Sequence, residues 1–354
     1  MPSSLARVSR TIVSACVILA GLCTACSNDM EPNRTVAPAA RSFSDMFHLV
    51  RVVTPQQSLE SPIVRISGAT WDGNNFAIAD VSEGNAKLFD GDGRLVAIVG
   101  RHGDGPGEFR SPRFPELHAD RLYVADGDLR RVSVWTRDGA LDREIPLDAG
   151  FVSDFAILSD GRIALAGEGF GKAGETLAVF DGRGTTLATG LSIGNVLPED
   201  ADRSGGPWNN VRQTFLAVSN DTAWAVSTIS DSVWMMPLDG ETVTATSYRL
   251  DIPGYVAPQA PQTQLRSVRE LSDWAGSFHS AAPPVGSSQL LAIPYVRGVL
   301  NYGDPTILVL RDDRGFWHAL STAPPIIAAH ERSLLAIHNP LGDFVQLAIY
   351  ETRQ

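Results

Sequence analysis

Cysteine is nearly absent from this chain of 354 residues. Its three cysteines, Cys16, Cys23 and Cys26, all lie close to the amino terminus. The rest of the chain can form no disulfide bond of its own, and a metal site there could not use thiolate ligands. A small disulfide-stabilised domain is therefore excluded, and we expect a hydrophobic core to stabilise the fold.

Clusters of basic residues are also missing. The 29 Lys and Arg residues are spread along the chain and are outnumbered by 40 Asp and Glu residues, which gives a formal net charge of −11. Nucleic-acid binding relies on a concentrated basic surface, so nucleic acid is not an expected partner. The same charge disfavours electrostatic binding to an anionic lipid surface.

Long hydrophobic runs are missing except for one, TIVSACVILAGLCTA at 11–25. Arg7 and Arg10 precede it and a polar segment follows, which is the pattern of a secretory signal, and the run is short for a membrane span. Its end, CTAC, resembles the lipobox of bacterial lipoproteins, although Cys23 stands where that family usually has Leu. The resemblance implies lipidation of Cys26, and a plain secretory signal cut at the same bond is the alternative.

The segment that follows the signal is polar and has no apolar period. It contains two prolines within SNDMEPNRTVAPAARSFSD, which is typical of a flexible tether. The chain is accordingly divided into a signal peptide at 1–25, a lipid anchor and tether at 26–45, and a folded domain at 46–354.

Five-residue apolar strings recur along the folded domain. They are FAIAD (76–80), LYVAD (122–126), IALAG (163–167), AWAVS (223–227), LLAIP (290–294) and LLAIH (334–338). A second short strand follows each string, and in five of the six a turn rich in Gly and Asp comes next, as tight hairpins require. With a further apolar segment before each string, the units have four antiparallel strands at the period of propeller blades. The sequence predicts an all-β, six-bladed β-propeller.

The sixth unit has no outer strand of its own after FVQLAIY at 344–350. An extended apolar segment, MFHLVRVV at 46–53, belongs to no unit. We expect the two to pair, so that the amino-terminal side of the domain supplies the outermost strand of the last blade and closes the ring. A loosely attached leading strand is the alternative.

The segment GPGEFRSPRFPELHADRLYVADGDLRRVSVWTRDG at 105–139 resembles an NHL repeat, with its Gly-x-Phe, Pro, Y-V-A-D string, Arg-Val strand and Asp-Gly turn. FAIADVSEGNAKLFDGDGRLVAIVG is similar, with Lys87 in place of the usual Arg. Blades one to three fit the pattern, and blades four to six keep only the rhythm of the strands. The resemblance implies a six-bladed propeller and specifies no activity, since NHL-like propellers include enzymes, ligand binders and interaction modules.

The glycine-rich stretch GRHGDGPGEFRSPRF at 100–114 is interpreted as the crossover between blades one and two. A phosphate-binding loop is the alternative, but no helix follows whose N-terminus could bind an anion. We expect Phe109 to fill the space between the two blades.

The long connections of the domain all join strands in a way that places them on one face of the disc. They fall at 100–112, 168–175, 195–210, 252–276 and 295–304. Because loops that exceed what connection needs are usually functional, we expect ligand binding on this long-loop face. The largest carries apolar residues at helical spacing, which predicts a short helix that covers the rim or acts as a lid: Leu265, Val268, Leu271 and Trp274.

Polar residues on the long-loop face are the candidate ligand-binding residues, although an exposed and idle side chain is the alternative at each position. They are His102, Asp104, Arg110, Glu168, Lys172, Asn209, Asn210, Arg297, Asn301, His338 and Asn339.

Several segments match the residue pattern of a catalytic motif but lack the structural features that the motif requires. GLSIG at 190–194 has the serine-hydrolase pattern but continues a strand instead of turning into a helix. GFGKAGET at 169–176 lacks the Ser or Thr that follows the lysine of a P-loop. His330 and His338 are not at a zinc-helix spacing.

Lactonase-like propellers place acidic calcium ligands around the channel, and Asp80 and Asp126 occupy equivalent strand ends here. We expect these two carboxylates to cap turns instead. The reason is that the other equivalent positions do not form a set of oxygen ligands: Gly167, Ser227, Pro294 and His338.

Taken together, these features predict an exported, lipid-anchored propeller of the bacterial cell envelope, periplasmic or on the cell surface. We expect a monomer that acts as a non-catalytic binding module for a protein, peptide or glycan, with no catalytic residue, no metal and no cofactor. Only the lipid anchor would contact the membrane. The alternative is an NHL-like or lactonase-like enzyme, a hydrolase or lyase with its site at the central channel.

Overall fold

A computed structural model describes the chain at residues 33–36, 41–170, 174–193, 213–219, 222–238, 243–259, 261, 267–298, 307–339 and 344–353. Within these residues the strands form six sheets, each with an antiparallel core of four strands. The six-bladed β-propeller predicted from the sequence is therefore confirmed.

The amino-terminal part of the described chain contributes strands to three different blades. Its elements are β1 (Asn33–Val36), β2 (Arg41–Ser42), the single helical turn α1 (Phe43–Met46) and β3 (Phe47–Val53).

Blades 1 to 3 are each built from four consecutive strands. In chain order, the first strand lines the central channel and the fourth lies at the outer rim. The strands are β4 (Ile66–Trp71), β5 (Asn75–Asp80), β6 (Asn85–Asp90) and β7 (Leu95–Val99); β8 (Pro112–His118), β9 (Arg121–Asp126), β10 (Arg131–Thr136) and β11 (Leu141–Pro146); and β12 (Phe151–Ile157), β13 (Ile163–Glu168), β14 (Glu175–Phe180) and β15 (Thr186–Ser192).

Blades 4 to 6 follow the same plan with more irregular edges. Their strands are β16 (Thr214–Ser219), β17 (Thr222–Ser227), β18 (Ser232–Pro237) and β19 (Thr246–Asp251); β20 (His279–Ala281), β21 (Val285–Gly286), β22 (Leu291–Arg297), β23 (Ile307–Arg311) and β24 (Trp317–Ser321); and β25 (Ile326–His330), β26 (Ser333–Ile337) and β27 (Leu347–Thr352). The helix α2 (Val268–Ala275) lies between β19 and β20.

The inner strand of blade 5 is split into β20 and β21, which both pair with β22. Pro283 and Pro284 lie between the two pieces. Proline has no backbone N–H to donate to a ladder, so a regular strand cannot continue through this point.

The core lies between the blades. One cluster joins blades 1 and 2 and includes Ala77, Leu88, Val124 and Trp135, all buried. Phe109 of the crossover is fully buried in the same cluster, as predicted. Because each blade packs against two neighbours, its second strand is buried on both faces, which is why these strands are apolar strings without alternation.

The ring closes as predicted. β3 pairs antiparallel with β27, with Val53 opposite Leu347 and Phe47 opposite Thr352. Phe47 is only 1% exposed. The outermost strand of blade 6 therefore comes from the amino-terminal side of the domain, and this sheet reaches its full four strands.

Part of the predicted flexible tether at 26–45 forms regular structure, which differs from the expectation. β1 pairs in parallel with the outer strand of blade 4, and β2 pairs in parallel with the outer strand of blade 5. Phe43 of α1 is buried and stacks on Phe47, with ring centroids 4.7 Å apart. The outer edges of two blades supply hydrogen-bonding groups that a polar tether can pair with, and composition does not reveal this.

The turns between third and fourth strands contain the glycines that the sequence pattern highlighted. Gly139 and Gly184 have φ angles of 88° and 89°. A Cβ atom on Gly139 would lie 3.1 Å from the Cβ of Ala97, and one on Gly184 would overlap the carbonyl oxygen of Pro146. Both turns therefore need glycine for a left-handed conformation and for close packing on the preceding blade.

The register of blade 1 corrects the place given to Lys87. Asn85 lies opposite Asp80, as Arg131 lies opposite Asp126 in blade 2, so Asn85, not Lys87, is at the position equivalent to Arg131. Lys87 lies two residues further along, fully buried, and its Nζ donates a hydrogen bond to Asn85 Oδ1 at 2.9 Å.

Candidate functional site

The strand order places the strand ends that bound the long connections on one face, and the short hairpin turns form the opposite, plain face. The connection at 195–210 itself lies outside the described residues. The connection between β26 and β27 and the passage from β3 to β4 also lie on the long-loop face, in addition to the five predicted ones. α2 is the helix predicted in the largest connection, and Trp274 packs on the buried Phe278 with ring centroids 4.9 Å apart. Leu265, one of the apolar residues predicted for this helix, lies outside the described residues, and the role of the helix as a cover of the rim or a lid stays a prediction.

The sequence-predicted site residues do not converge on one point. His102 is exposed and its ring packs over Gly84, while His338 and Asn339 are exposed on blade 6. Glu168 is half-buried at the end of β13 in blade 3. Five predicted residues lie outside the described part of the chain: Cys26, Lys172, Asn209, Asn210 and Asn301.

Asp104 and Arg110 pair with each other within the crossover between blades 1 and 2. The Nε atom of Arg110 lies 2.5 Å from Asp104 Oδ1, and its Nη2 lies 2.6 Å from Oδ2. The bidentate hydrogen bond from Arg110 lowers the pKa of the Asp104 carboxyl. This ion pair fixes the loop and leaves neither charge without a partner, so the structure gives no reason to assign either residue to ligand binding.

The two Y-V-A-D aspartates cap turns, as predicted. Asp126 accepts backbone N–H bonds from Arg110, Ser111, Asp128 and Leu129 at 2.7–3.1 Å. Asp80 accepts four equivalent bonds in blade 1. Among the described residues no group of three or more His, Cys, Asp or Glu side chains could hold a metal ion.

Two acidic residues on the inner strands were missed by the sequence analysis. Glu116 of β8 is approached by the hydroxyl of Thr70 of β4, 3.5 Å from Oε2, and burial raises its pKa to about 8. Asp154 of β12 is 5% exposed and accepts the N–H of Leu216 at 3.0 Å. Burial also raises the pKa of Asp154, and the charge of Glu116 adds to this effect. Neighbouring blades thus place two carboxyl groups with raised pKa values beside the central channel.

A groove of about 350 Å³ opens on the long-loop face over blade 5. Its lining combines the crossover from blade 4 with all four strands of blade 5, and consists of Pro253, Gly254, His279, Arg297, Ile307, Leu320 and Ser321. We call it the blade-5 groove. Of the predicted candidate residues that the structure describes, Arg297 is the one that lines it, and its side chain is exposed.

His279 forms the floor of the blade-5 groove and is held by the crossover. Its backbone N–H donates to the Val256 carbonyl, and its Nδ1 accepts the Val256 N–H, both at 2.9 Å. The imidazole stacks on Tyr255, with ring centroids 5.8 Å apart, and Tyr255 packs edge-on against Tyr295. Burial, helped by the charge of Arg297, lowers the pKa of His279, so the ring is neutral near pH 7.

No family model matches the sequence, and no curated protein matches it. Solved structures share the fold. A protein of Bacteroides fragilis described as a "Putative exported protein" is 11% identical, with 91% of this chain and 99% of that chain covered at a TM-score of 0.63. A member of the DUF4221 family from Bacteroides vulgatus is 12% identical, with 87% and 98% covered at a TM-score of 0.60.

A streptogramin B lyase structure is 10% identical, with 87% of this chain and 99% of that chain covered at a TM-score of 0.46. This weaker likeness carries no argument about the present chain. At such identities the similar structures establish the propeller architecture and nothing about the ligand.

Proposed function

We propose that this protein is a non-catalytic binding module that takes its ligand on the long-loop face, at the blade-5 groove. The observation that carries the proposal is the pairing of a concave surface with an exposed Arg297 above a neutral, fixed His279. Concave sites with a few well-held polar groups are the usual form of a ligand pocket.

The proposal includes export and a lipid anchor at Cys26. It rests on the charged start, the apolar run and the CTAC sequence. No helix among the described residues is long and apolar enough to cross a membrane. Replacing Cys26 with Ala should move the protein from the membrane fraction to the soluble fraction of expressing cells, and an unchanged membrane fraction would contradict lipidation.

The binding face can be tested with two arginines of the same blade. Arg297 lies at the long-loop end of β22, whereas Arg314 is exposed in the turn between β23 and β24 on the plain face. We expect the immobilised protein to retain a ligand from peptide or glycan pools of the cell envelope. Arg297→Glu should lose this binding, and Arg314→Glu should keep it. Equal binding by both variants would contradict the assignment of the face.

A second candidate function is an enzyme of the NHL-like or lactonase-like type with a site at the central channel. The raised pKa values of Glu116 and Asp154 favour it, because a carboxyl group that keeps its proton near neutral pH can serve as a general acid. The same ligand pools distinguish the two functions. Conversion of the bound ligand by the wild type, lost in Glu116→Gln while binding persists, would favour the enzyme.

A further inference from the structure

The described lining of the blade-5 groove presents hydrogen-bond donors to its contents and contains no acidic residue. Arg297 has no ion-pair partner among the described residues, although acidic residues outnumber basic ones in the chain. Ser321 is engaged elsewhere, because its hydroxyl donates to the Arg41 carbonyl at 3.3 Å. The unpaired charge available to a ligand in the groove is therefore the positive charge of Arg297.

The ring proton of His279 also indicates that the ligand carries a hydrogen-bond acceptor. The side chain is 5% exposed, and its Nδ1 accepts an N–H bond from Val256. An amide can only donate, so the single proton of the neutral ring is on Nε2. Nε2 has no protein partner among the described residues. Because Nδ1 is occupied by Val256, Nε2–H is the donor that the ring has left for a ligand, and His279 lies directly opposite Arg297 in the ladder between β20 and β22.

The remaining walls are apolar. Pro253 and Ile307 flank the groove, and Leu320 is fully buried beneath it. Such walls bury an apolar group and reduce the water around the charged pair, which strengthens the hydrogen bonds made there. A volume of about 350 Å³ suits a ligand part of the size of one or two amino-acid residues.

We propose that the blade-5 groove binds a carboxylate carried by an apolar group, with Arg297 and the Nε2–H of His279 holding the carboxylate and the apolar walls holding the rest. This inference deepens the proposed function and rests on it. The planar fork of an arginine matches a carboxylate in two parallel bonds. A free apolar acid and the carboxyl terminus of a peptide share this chemistry.

The test uses two probes of nearly the same shape, N-acetyl-L-leucine with a charged carboxylate and N-acetyl-L-leucinamide with a neutral amide, titrated into the folded protein by calorimetry or ligand-observed NMR. We expect the acid to bind at least tenfold more tightly than the amide. Arg297→Gln should weaken the acid at least tenfold, and Arg297→Lys should weaken it less. Arg314→Gln, in the same blade on the plain face, is the control and should bind like the wild type.

His279 is tested with a variant that keeps its structural bond. Asparagine places an amide oxygen near the position of Nδ1, so His279→Asn can still accept the Val256 N–H while it loses the donor at Nε2. We expect weaker binding of the acid, with the thermal midpoint close to that of the wild type. A pentapeptide ending in leucine as a free acid, compared with N-acetyl-L-leucine, shows whether the source is a peptide terminus or a small acid.

Equal affinity for acid and amide, or binding of the acid that Arg297→Gln leaves unchanged, would overturn this inference. If neither probe binds while an envelope ligand is still captured in an Arg297-dependent way, the carboxylate is wrong and the binding face stands. If Arg297→Glu also leaves that capture unchanged, the proposed function itself fails.

Discussion

At the scale of single residues, the surroundings of a carboxyl group decide what it does in this propeller. Asp126 is fully buried, and four backbone N–H groups donate to it, so it fixes a turn. Glu116 is approached by one hydroxyl at 3.5 Å, so burial is not offset and its pKa rises to about 8. The first carboxyl group fixes a turn, whereas burial keeps the second protonated at a higher pH than a solvated glutamate.

Glu116 should make the stability of the fold depend on pH. Its usual pKa is 4.5 and its folded pKa is about 8, so between these values the folded protein holds a proton that the unfolded chain releases. The free energy of unfolding should therefore fall as pH rises through this window, by at most about 1.4 kcal/mol per pH unit. Glu116→Gln has no proton to lose, so it should flatten the slope and be more stable than the wild type above pH 8.

Chemical denaturation at several pH values between 4.5 and 9 measures this slope. Glu351→Gln, on the exposed surface of blade 6, is the control and should leave the slope unchanged. Part of the slope should persist in Glu116→Gln, because burial also raises the pKa of Asp154. A wild-type slope in Glu116→Gln would show that this carboxyl group is charged and solvated in the folded state.

At the scale of elements, the inner strands share a bulge that the apolar pattern does not show. The register shifts by one residue within the inner strands of blades 1, 2, 3 and 6. In two of them the extra residue is a serine that donates to the next blade. Ser67 Oγ lies 2.6 Å from the Pro112 carbonyl oxygen, and Ser153 Oγ lies 2.5 Å from that of Thr214. A bulge re-aims a side chain, and here it links neighbouring inner strands.

Removing these two hydroxyls should destabilise the propeller at two separate blade interfaces. Ser67→Ala and Ser153→Ala each leave a carbonyl oxygen of the next blade without its donor, which should cost about 0.5–1.5 kcal/mol of unfolding free energy. The two lie at different blade interfaces, so the double variant should show nearly the sum. Urea denaturation measures both effects against Ser82→Ala, an exposed turn serine, as the control. A neutral double variant would contradict the link.

Sequence patterns could predict the strands and their number, because each blade buries one strand on both faces and five of the six have a glycine-containing turn before the outer strand. They could not predict the blade-5 groove. Pro253, His279, Arg297 and Leu320 are far apart in the chain, and only the folding of blade 5 against its crossover brings them together. Arg297 is predicted because it falls in the long connection at 295–304, whereas His279 lies in a strand that Pro283 and Pro284 shorten.

At the scale of the whole molecule, both ends of the domain meet in blade 6. The Arg353 N–H donates to the Met46 carbonyl at 2.7 Å, and the Arg353 Nε donates to the Ser44 carbonyl at 2.8 Å. Phe43 packs edge-on against Tyr350, with ring centroids 5.1 Å apart. The helical turn and β3 therefore act together as the clasp of the ring, while β1 adds only a parallel fifth strand to the edge of blade 4.

Two truncations distinguish the contribution of the clasp to stability from that of the edge strand β1. Deleting residues 1–40 removes β1 and keeps Phe43, Phe47 and Val53, which are buried in blade 6 and its neighbours. We expect a small fall in the thermal midpoint, because one exposed edge is uncovered. Deleting residues 1–54 also removes those three side chains, each worth about 1.5–3 kcal/mol of burial.

That loss approaches the whole stability of a typical domain, about 5–15 kcal/mol, and it opens the ring at one blade. The longer deletion should therefore unfold at a much lower temperature and less cooperatively in a circular dichroism melt. Amide exchange should rise first in β27, whose outer partner is gone. If both truncations melt together, the closure depends on the other blade contacts and β3 is only an added edge. A large difference between them would assign the stability of the ring to residues 41–54.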